Sequence, residues 1–430
     1  MSEMRGLRLI VTPSPARVDD PPSIVVSGYR PGQAVTVRAR MRDGLGRHWE
    51  SHAAFEADSG GVVDVTTQRP VAGTYEDADP RGLLWSMGLG EGQPTGLLTS
   101  AAPLETEFVA ESGTTPVATA RVTRYFAAPE VSRTDVRDHG LVATFFRPAG
   151  AMPRPAIIVV PGSGGGVPET SAALLASHGF ASLALAYFRA EHLPESLVEI
   201  PLEYFEKAIL WLRGQEAVGD RPLGVMGGSR GGELALLLGA TFPAFKAVVG
   251  YVPSGIVHAG ISGGGLQEAR RRPAWTYRGE PVPFLSSRDA GQMEPVPLSS
   301  EPLPLTPIFL RALEDSAAVE AAMIPVERIN GPVLLISGQD DQMWPSPVLA
   351  EIAMKRLAEH HHRYPRHHLS YPGAGHVIGQ PGMPATVTAS LHPLAGRWLA
   401  FGGNGKDNAA AAADSWPKVV AFFRDALKAR

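Results

Sequence analysis

The sequence predicts two domains: a β-sandwich, followed by an α/β domain built on a mostly parallel, doubly wound sheet. Up to about residue 125, short β-branched or alternating runs are separated by Pro-Gly, Asp-Gly and Ser-Gly turns, a pattern typical of sandwiches. Beyond residue 130, continuous apolar runs alternate with helical segments and Gly-rich turns, as in parallel sheets covered by helices. The length of 430 residues suffices for both domains.

Several segments of the N-terminal region have the length and composition of strands. They are residues 7–12, 23–27, 34–40, 62–66 and 117–124. The stretch that follows, residues 126–132, contains Ala-Ala-Pro-Glu, and proline disfavours a helical conformation in the residue before it. We therefore predict a β-sandwich domain over residues 1–130 and an α/β domain over residues 131–430.

The second region alternates apolar strands with helices. Strands are predicted at 156–160, 181–186, 223–226, 247–252 and 333–337, and helices at 170–178, 202–213, 232–240 and 345–360. Between Pro253 and Pro325 this alternation gives way to a stretch rich in Gly, Pro and Arg that is too long for an ordinary loop. We expect this insertion, at about residues 253–325, to form a lid or cap over the functional site.

Composition excludes several classes of protein and of site. The 39 basic and 43 acidic residues give a net charge of -4, so no global positive field favours nucleic acid or an anionic membrane. The absence of cysteine excludes disulfides, thiolate zinc sites and a cysteine nucleophile. No apolar run is long enough to span a bilayer and no signal peptide is evident, so we expect a cytoplasmic protein. The excess of arginine over lysine, with abundant Ala, Gly and Pro, indicates a GC-rich bacterial gene.

Residues 227–231, Gly-Gly-Ser-Arg-Gly, have the G-x-S-x-G pattern of a nucleophile elbow. By itself this pattern is common, and it also fits a Gly-rich turn with a capping serine. Here it follows the apolar strand at 223–226 and precedes a helix-forming segment, which is the setting that an elbow requires. The glycines suit such a turn because neighbouring backbone comes close where a Cβ would clash. We therefore predict that Ser229 is a nucleophile.

The partners of such a serine follow later strands. Asp340 and Asp341 come after the strand at 333–337, and His376 comes after a predicted strand at 369–371. The order Ser, Asp, His along the chain is that of the α/β-hydrolase fold. In this arrangement His376 takes the proton of Ser229 and returns it to the leaving group, while an aspartate orients the imidazole.

Only one of the two adjacent aspartates can reach the histidine. In hydrolases of this fold the acid usually stands three residues after the glycine that ends the strand and four before a proline. Asp341 has that register with Gly338 and Pro345, so we predict that Asp341 is the acid. Asp340 remains the alternative and is otherwise a solvated turn residue.

Residues 161–166, Pro-Gly-Ser-Gly-Gly-Gly, follow the first strand of the α/β domain, where this fold provides an oxyanion-hole amide. The backbone N–H groups of Ser163 and Arg230 are therefore our candidates for stabilising a developing oxyanion. The glycine run lacks the Gly-Lys-Ser/Thr ending of a phosphate loop and the spacing of a dinucleotide-binding loop. We predict no nucleotide binding there and no cofactor.

Three other groups of residues have both a functional and a structural interpretation. Histidines at positions 360, 361, 362, 367 and 368 resemble a metal-binding tract, but without acidic companions a solvated surface is favoured, and we predict no metal. Arg270, Arg271 and Arg272 could bind phosphates, although an arginine run is more often a solvated face. Glu233, one helical turn after the predicted nucleophile, is interpreted as a carboxylate that interacts with the helix dipole.

Together these residues resemble the family of acyl-CoA thioesterases and bile acid-CoA:amino acid N-acyltransferases, over nearly the whole chain. The resemblance rests on GLLWSM at 82–87, GSGGG at 162–166, GGSRGGELAL at 227–236, SGQDDQMW at 337–344 and YPGAGH at 371–376. It implies that Ser229, Asp341 and His376 form the triad. It also implies attack on the thioester carbonyl of an acyl-CoA to give an acyl-enzyme.

The nucleophile divides this family: cysteine is associated with acyl transfer to an amine, and serine with hydrolysis. The serine at position 229 and the absence of cysteine therefore favour hydrolysis of acyl-CoA to free acid and CoA. The alternative is an acyltransferase that moves the acyl group from CoA, or from the pantetheine arm of a carrier protein, to an amine or alcohol. Extra Gly and Arg residues around 261–272, and Arg230 where a lysine is frequent, leave the acyl specificity open.

Overall fold

The computed structural model describes residues 6–90, 100–262, 271–286 and 301–428, which divide into two compact units. The first unit extends to Ala127 and also includes Gly379–Thr388 and Asn404–Ala413. The second unit comprises Ala128–Ile378, Ala389–Gly403 and the segment from Asp414 onwards. Two short C-terminal segments thus belong to the first unit, whereas the continuous ranges 1–130 and 131–430 would assign them to the second.

Strands dominate the first unit. They are β1 (Arg8–Thr12), β2 (Ala16–Arg17), β3 (Ser23–Ser27), β4 (Ala34–Arg42), β5 (His48–Glu56), β6 (Val62–Asp64), β7 (Ala72–Gly73), β8 (Gly88–Leu89), β9 (Leu104–Ser112) and β10 (Thr115–Tyr125), with a short helix α1 (Gly82–Trp85). One sheet has the order β1-β3-β6, and the other β2-β10-β9-β4-β5-β7, with β8 paired to β5. Buried and exposed residues alternate along β4, as expected for a strand with one face against a core.

The sequence did not predict β5 and β9, which lie on either side of β4. β5 reads HWESHAAFE and β9 reads LETEFVAES, so both contain glutamate and other residues of low strand propensity. In β5 the two glutamates occupy exposed positions beside buried apolar residues. Pairing with β4 on the same sheet stabilises these strands more than their local propensity does.

The second unit alternates strands and helices. Its strands are β11 (Ser132–Val136), β12 (Val142–Arg147), β13 (Ala156–Val160), β14 (Ala181–Ala186), β15 (Ile200–Pro201), β16 (Leu223–Gly228), β17 (Phe245–Tyr251), β18 (Trp275–Tyr277), β19 (Glu280–Pro281), β20 (Val333–Gly338), β21 (Arg366–Tyr371), β22 (Ala389–His392) and β23 (Arg397–Ala400). Its helices are α2 (Glu169–Ser177), α3 (Glu203–Arg213), α4 (Arg230–Thr241), α5 (Thr306–Ala312), α6 (Ser316–Ala322) and α7 (Ser346–Glu359), and the final helix α8 (Gly405–Ala426) begins in the first unit.

The main sheet of this unit has the strand order β11-β12-β14-β13-β16-β17-β20-β21. From β14 to β21 all neighbouring strands are parallel, and the two strands at the other edge are antiparallel. The strand order changes direction at β13, because β14 lies on one side of it and β16 on the other. In open α/β sheets, ligands bind beyond the carboxyl ends of the strands near such a switch point. The predicted α/β fold with its doubly wound sheet is confirmed.

Burial explains why the central strands read as uninterrupted apolar runs. Every residue of β13 (AIIVV) and of β14 (ASLALA) is buried, since helices cover both faces of the sheet. The packed core includes Leu234 from α4 and one residue from each of four strands of the main sheet. These are Ile158 of β13, Leu183 of β14, Val225 of β16 and Leu335 of β20. α4 is itself buried from its first residue to Gly239, so the segment after Ser229 is a central helix.

The insertion predicted at about 253–325 contains regular elements in its described part. β18 pairs with β15 and β19, and the helices α5 and α6 follow later in the insertion. Several of its residues are fully buried, among them Trp275 and Ile256. The described part is therefore a packed extension of the α/β unit. Across the described ranges, no helix combines the length and apolarity needed to cross a membrane.

Candidate active site

Ser229 lies on the turn between β16 and α4 with φ 57° and ψ -124°. A positive φ is unfavourable for a residue with a side chain and persists only where the surroundings enforce it. The surroundings here are close backbone contacts: a Cβ on Gly227 would lie 2.2 Å from the carbonyl oxygen of Gly231, and a Cβ on Gly231 would lie 2.5 Å from that of Pro161. The glycines therefore allow the tight turn that presents Ser229, as the motif predicted.

His376 brings the serine and an aspartate together. Its Nε2 lies 2.9 Å from Oγ of Ser229, and its Nδ1 lies 3.0 and 2.9 Å from the two carboxylate oxygens of Asp341. The backbone N–H of His376 donates to the carbonyl of Phe401, whose ring stacks on the imidazole at 6.3 Å between centroids. With Nδ1 protonated towards the carboxylate, Nε2 is free to accept the serine proton.

Asp341, and not Asp340, reaches the histidine. Oδ1 of Asp341 also accepts the backbone N–H groups of Met343 and Trp344, at 3.0 and 3.2 Å, and only 5% of the residue is exposed. These bonds fix the carboxylate in its turn. Asp340 is exposed, and its Oδ2 accepts the backbone N–H of Gly403 at 2.9 Å. The structure thus places the two aspartates in different environments.

The loop after β13 runs against the serine turn. A Cβ on Gly162 would lie 2.9 Å from the carbonyl oxygen of Gly228 and 3.4 Å from Cβ of Ser229, so glycine allows this close approach. The next residue, Ser163, lines the same cavity as Ser229 and Arg230. Ser163 and Arg230, whose backbone N–H groups are the candidate oxyanion donors, therefore line the same cavity as the predicted nucleophile.

A mostly apolar cavity of about 150 Å³ opens at Ser229. Residues of the predicted insertion form much of its wall, namely Ala259, Ile261, Leu285, Leu305, Ile308, Phe309 and Ala312. Met343, Trp344 and Leu399 complete the apolar lining. A cavity with this lining can hold a hydrocarbon chain next to a serine nucleophile. That the insertion forms a lid or cap over the site stays a prediction.

The side chain of Arg230 belongs to a buried cluster below the serine turn, which the sequence analysis missed. Nη1 of Arg230 donates to Glu233 at 2.7 Å, and Nη2 donates to the carbonyls of His258 and Ala259 at 3.0 and 3.2 Å. Nε1 of Trp275 donates to the other oxygen of Glu233 at 3.0 Å. Because His258 and Ala259 line the cavity, this cluster holds part of the cavity wall to the first turn of α4.

Glu233, interpreted from the sequence as a carboxylate that interacts with the helix dipole, has a fully buried side chain that pairs with Arg230. Burial raises the pKa of Glu233 to about 7, against the opposing effects of Arg230, Trp275 and the backbone of His258. Burial, and then the charge of Arg230, lower the pKa of His258 well below its ordinary value, so this ring is neutral. Its Nε2 lies 3.0 Å from Oγ of Ser254. The sequence contained one indication of this cluster: Glu233 is a charged residue in the first turn of an otherwise apolar helical segment.

His392 is a second histidine at the cavity that the sequence did not single out. Its Nε2 lies 2.9 Å from Oγ of Ser163, and its Nδ1 faces the backbone N–H groups of Leu394 and Ala395. Burial lowers the pKa of His392 to about 4, and the nearby charges of Arg189 and His376 act in the same direction.

The arginine run and the histidine tract lie in other environments. Arg270 is outside the described residues, Arg271 is exposed, and Arg272 donates to Glu199 at 2.8 Å. Binding of phosphates by this run stays a prediction. In the tract, His362 is buried against the carbonyl of Ile329, and His368 bonds to Ser337, so a solvated surface is wrong for these two. No three potential metal ligands cluster anywhere in the described ranges.

Comparisons with known proteins extend over both units. Residues 19–138 match the family model described as the acyl-CoA thioester hydrolase/BAAT N-terminal region, and residues 200–429 match that described as the BAAT/acyl-CoA thioester hydrolase C terminal. The rat mitochondrial acyl-coenzyme A thioesterase 2 is 34% identical over 96% of this chain and 87% of its own. The mouse peroxisomal succinyl-coenzyme A thioesterase is 34% identical over 94% of this chain and 93% of its own.

Among solved structures, a puromycin-hydrolyzing peptidase of Mycobacterium tuberculosis aligns with a TM-score of 0.43 at 17% identity, covering 94% of this chain and 54% of that one. The family assignment rests on the sequence comparisons, which cover more than half of the chain by family model and most of it by relatives. The resemblance proposed from the motifs is therefore confirmed: the chain belongs to the acyl-CoA thioester hydrolase/BAAT family.

Proposed function

We propose that this protein hydrolyses acyl-CoA thioesters to a free acid and CoA through an acyl-Ser229 intermediate. The observation that carries the proposal is the hydrogen-bonded series Ser229, His376 and Asp341 at the mouth of an apolar cavity. Family membership supports the thioester as the reacting group, and the two relatives described above are named thioesterases. The transferase alternative has no such support from them.

Acylation begins when Oγ of Ser229 attacks the thioester carbonyl while Nε2 of His376 accepts the serine proton. Asp341 stabilises the imidazolium that results, because its carboxylate contacts Nδ1 at 2.9 Å. The carbonyl oxygen becomes an oxyanion, for which the backbone N–H groups of Ser163 and Arg230 are the proposed donors. When the tetrahedral intermediate collapses, the carbon–sulfur bond breaks, and His376 returns the proton to the leaving thiolate of CoA.

Deacylation repeats these steps with water. His376 takes a proton from a water molecule, the resulting hydroxide attacks the acyl-serine ester, and the carbon–oxygen bond to Ser229 breaks. The serine recovers its proton from the imidazolium, and the free acid leaves. No residue other than the triad has to change its protonation state, and the cysteine-free chain offers no thiol as an alternative nucleophile.

The direct test is release of free CoA from a panel of acyl-CoA substrates of increasing chain length, measured with a thiol reagent for the wild type and for Ser229→Ala. Activity that depends on Ser229 supports the proposal, and its absence across the panel contradicts it. Repeating the assay with excess glycine or taurine, and analysing the products, separates hydrolysis from transfer. Acyl-carrier protein as the donor tests the carrier-protein expectation.

The expected cytoplasmic location and bacterial origin stay predictions, since the relatives above are rat and mouse proteins named as mitochondrial and peroxisomal.

A further inference from the structure

The triad leaves one hydrogen-bonded pair of the cavity wall without a role. Oγ of Ser163 lies 2.9 Å from Nε2 of His392, although 229 residues separate the two in the chain. Ser163 follows β13, and His392 ends β22. Both residues line the cavity that contains Ser229. The pair therefore faces the same cavity as the predicted nucleophile.

The surroundings of His392 determine which atom of the pair donates. The backbone N–H groups of Leu394 and Ala395 point at Nδ1 from 3.3 and 3.1 Å. A backbone N–H can only donate, so Nδ1 is an acceptor and carries no proton. The single ring proton is then on Nε2, which donates to Oγ of Ser163. The lowered pKa of His392, caused by burial and by the charges of Arg189 and His376, agrees with a neutral ring.

This assignment excludes a second nucleophile and leaves a hydrogen-bond donor. His392 cannot act as a base towards Ser163, because its Nε2 already holds a proton and its Nδ1 is occupied. A serine hydroxyl has one proton of its own, and the lone pair that accepts from His392 does not use it. Across the described part of the chain, His392 is the hydrogen-bond partner found for Oγ of Ser163. The hydroxyl proton of Ser163 is therefore available to a group in the cavity.

The loop that carries Ser163 runs close to Ser229. The residue before Ser163 approaches the nucleophile so closely that a Cβ on Gly162 would lie 3.4 Å from Cβ of Ser229. A carbonyl under attack by Ser229 is polarised, and its oxygen gains charge that further donors stabilise. Apolar side chains form most of the remaining wall, so they offer this oxygen no donor.

We propose that the side chain of Ser163, oriented by His392, donates a hydrogen bond to the acyl carbonyl oxygen as that oxygen becomes an oxyanion. This proposal rests on the proposed thioesterase function. Ser163 acts here through its hydroxyl in addition to its backbone N–H. No covalent bond to Ser163 forms or breaks, and its proton stays on Oγ throughout. Ser163 is thereby a catalytic residue, and His392 is a positioning residue that keeps the lone pair of Ser163 occupied.

The test uses the full chain and Ser163→Ala, Ser163→Thr and His392→Gln, with octanoyl-CoA as substrate. Loss of one oxyanion donor typically costs about 10²- to 10³-fold in kcat, so we expect Ser163→Ala to lower kcat by about 10²-fold with KM nearly unchanged. Ser163→Thr keeps the hydroxyl and should stay within about tenfold of the wild type, and His392→Gln should fall between the two. Ser132→Ala and His367→Gln, both at exposed positions, are the matched controls and should behave like the wild type.

Two inhibitors separate catalysis from a structural role. An alkyl trifluoromethyl ketone forms a hemiketal oxyanion with the nucleophilic serine, whereas an S-alkyl-CoA thioether binds without a carbonyl oxygen. Ser163→Ala should weaken the trifluoromethyl ketone by at least about tenfold while the Kd of the thioether changes by less than about twofold. Equal losses for both inhibitors, or no loss of kcat, would overturn the proposal, and so would a Ser163→Thr variant as inactive as Ser163→Ala.

The outcome for the wild type separates this inference from the proposed function. A wild type that releases no CoA from any acyl-CoA contradicts the thioesterase assignment itself. A wild type that is active, with Ser163→Ala equally active, contradicts only the role of the Ser163 hydroxyl. If Ser163→Ala does not fold, His392→Gln decides: the proposal expects a lower kcat and a trifluoromethyl ketone that is weakened more than the thioether. Unchanged values of both would overturn it.

Discussion

Oγ of Ser229 lies 2.9 Å from Nε2 of His376, although 147 residues separate them in the chain. Ser229 follows β16 and His376 follows β21, and the strands β17 and β20 lie between these two in the sheet. Parallel strands end at the same edge, so residues that follow different strands meet there. The pair owes its contact to the parallel topology, and the chemistry proposed for this protein depends on that contact.

The triad should behave as one unit. Ser229→Ala and His376→Ala are each expected to lower kcat for acyl-CoA hydrolysis by roughly 10³- to 10⁶-fold, and the double variant should be little worse than either. The physical reason is that the serine and its base carry out one step together. Removing either residue therefore removes the whole step. Steady-state kinetics of the three variants check this. Losses that multiply in the double variant would count against the triad.

The two adjacent aspartates form an internal control. Asp341→Asn should lower kcat at least about tenfold more than Asp340→Asn, because only the carboxylate at 341 fixes the histidine tautomer. Asp340 bonds to the backbone of Gly403 and is exposed, so its replacement should change kcat little. Parallel kinetics of the two variants decide the assignment, and the opposite ranking would transfer the role to Asp340.

The buried cluster around Glu233 should matter for stability. Glu233→Ala removes the carboxylate that pairs with the buried guanidinium of Arg230 and leaves the indole N–H of Trp275 without its acceptor. This loss should cost about 3–5 kcal/mol in the free energy of unfolding. Glu327→Ala is the matched control, because Glu327 binds Arg356 at 2.6 Å but is partly exposed, and it should cost about 1 kcal/mol or less. Denaturant unfolding of both variants provides the comparison. Similar losses in the free energy of unfolding for the two variants would contradict the claim that burial makes the Arg230–Glu233 pair more important for stability.

Stability at acid pH should depend on His392. Its pKa is about 4 in the folded protein and about 6.5 in an unfolded chain, so the unfolded state binds more protons between these values. This contribution is fully present above about pH 6.5 and is lost as the pH falls towards about 4, by about 3 kcal/mol in all. Arg189 and His376, the charged and titratable groups that act on this ring, add to the effect of burial.

His392→Gln removes that titration, so its free energy of unfolding should fall less steeply with acidification than that of the wild type. Unfolding curves at several pH values between about 7 and 4 measure the difference. His367→Gln replaces an exposed histidine and should follow the wild type. A wild type and a His392→Gln variant with parallel pH dependence would contradict the lowered pKa of His392.

The parts of the site that the sequence predicted have local causes. The serine turn needs glycines on both sides of Ser229, because a Cβ on Gly227 or Gly231 would meet backbone atoms, and the motif shows these glycines directly. Asp341 could be selected over Asp340 because its spacing from Gly338 and Pro345 is the one that hydrolases of this fold usually have. The buried strands were also visible, since residues covered on both faces must be apolar.

The parts that the sequence did not predict depend on contacts between distant segments. Trp275 reaches Glu233 from 42 residues away, and His392 reaches Ser163 from 229 residues away, and no hydrophobic periodicity encodes such pairs. His362 appeared to be part of a solvated tract because its burial against Ile329 is decided by packing across elements. Likewise, β5 and β9 each contain two or more glutamates among their apolar residues, so a search for apolar runs does not detect these strands.

The most direct test of the central claim is detection of the acyl-enzyme. The protein is mixed with octanoyl-CoA, quenched with acid within milliseconds to seconds and analysed by mass spectrometry, first intact and then as peptides. We predict a mass increase equal to one octanoyl group, located on the peptide that contains Ser229 and absent from Ser229→Ala. Release of CoA by the wild type without any covalent acyl group, or an acyl group on a different residue that persists in Ser229→Ala, would contradict the account.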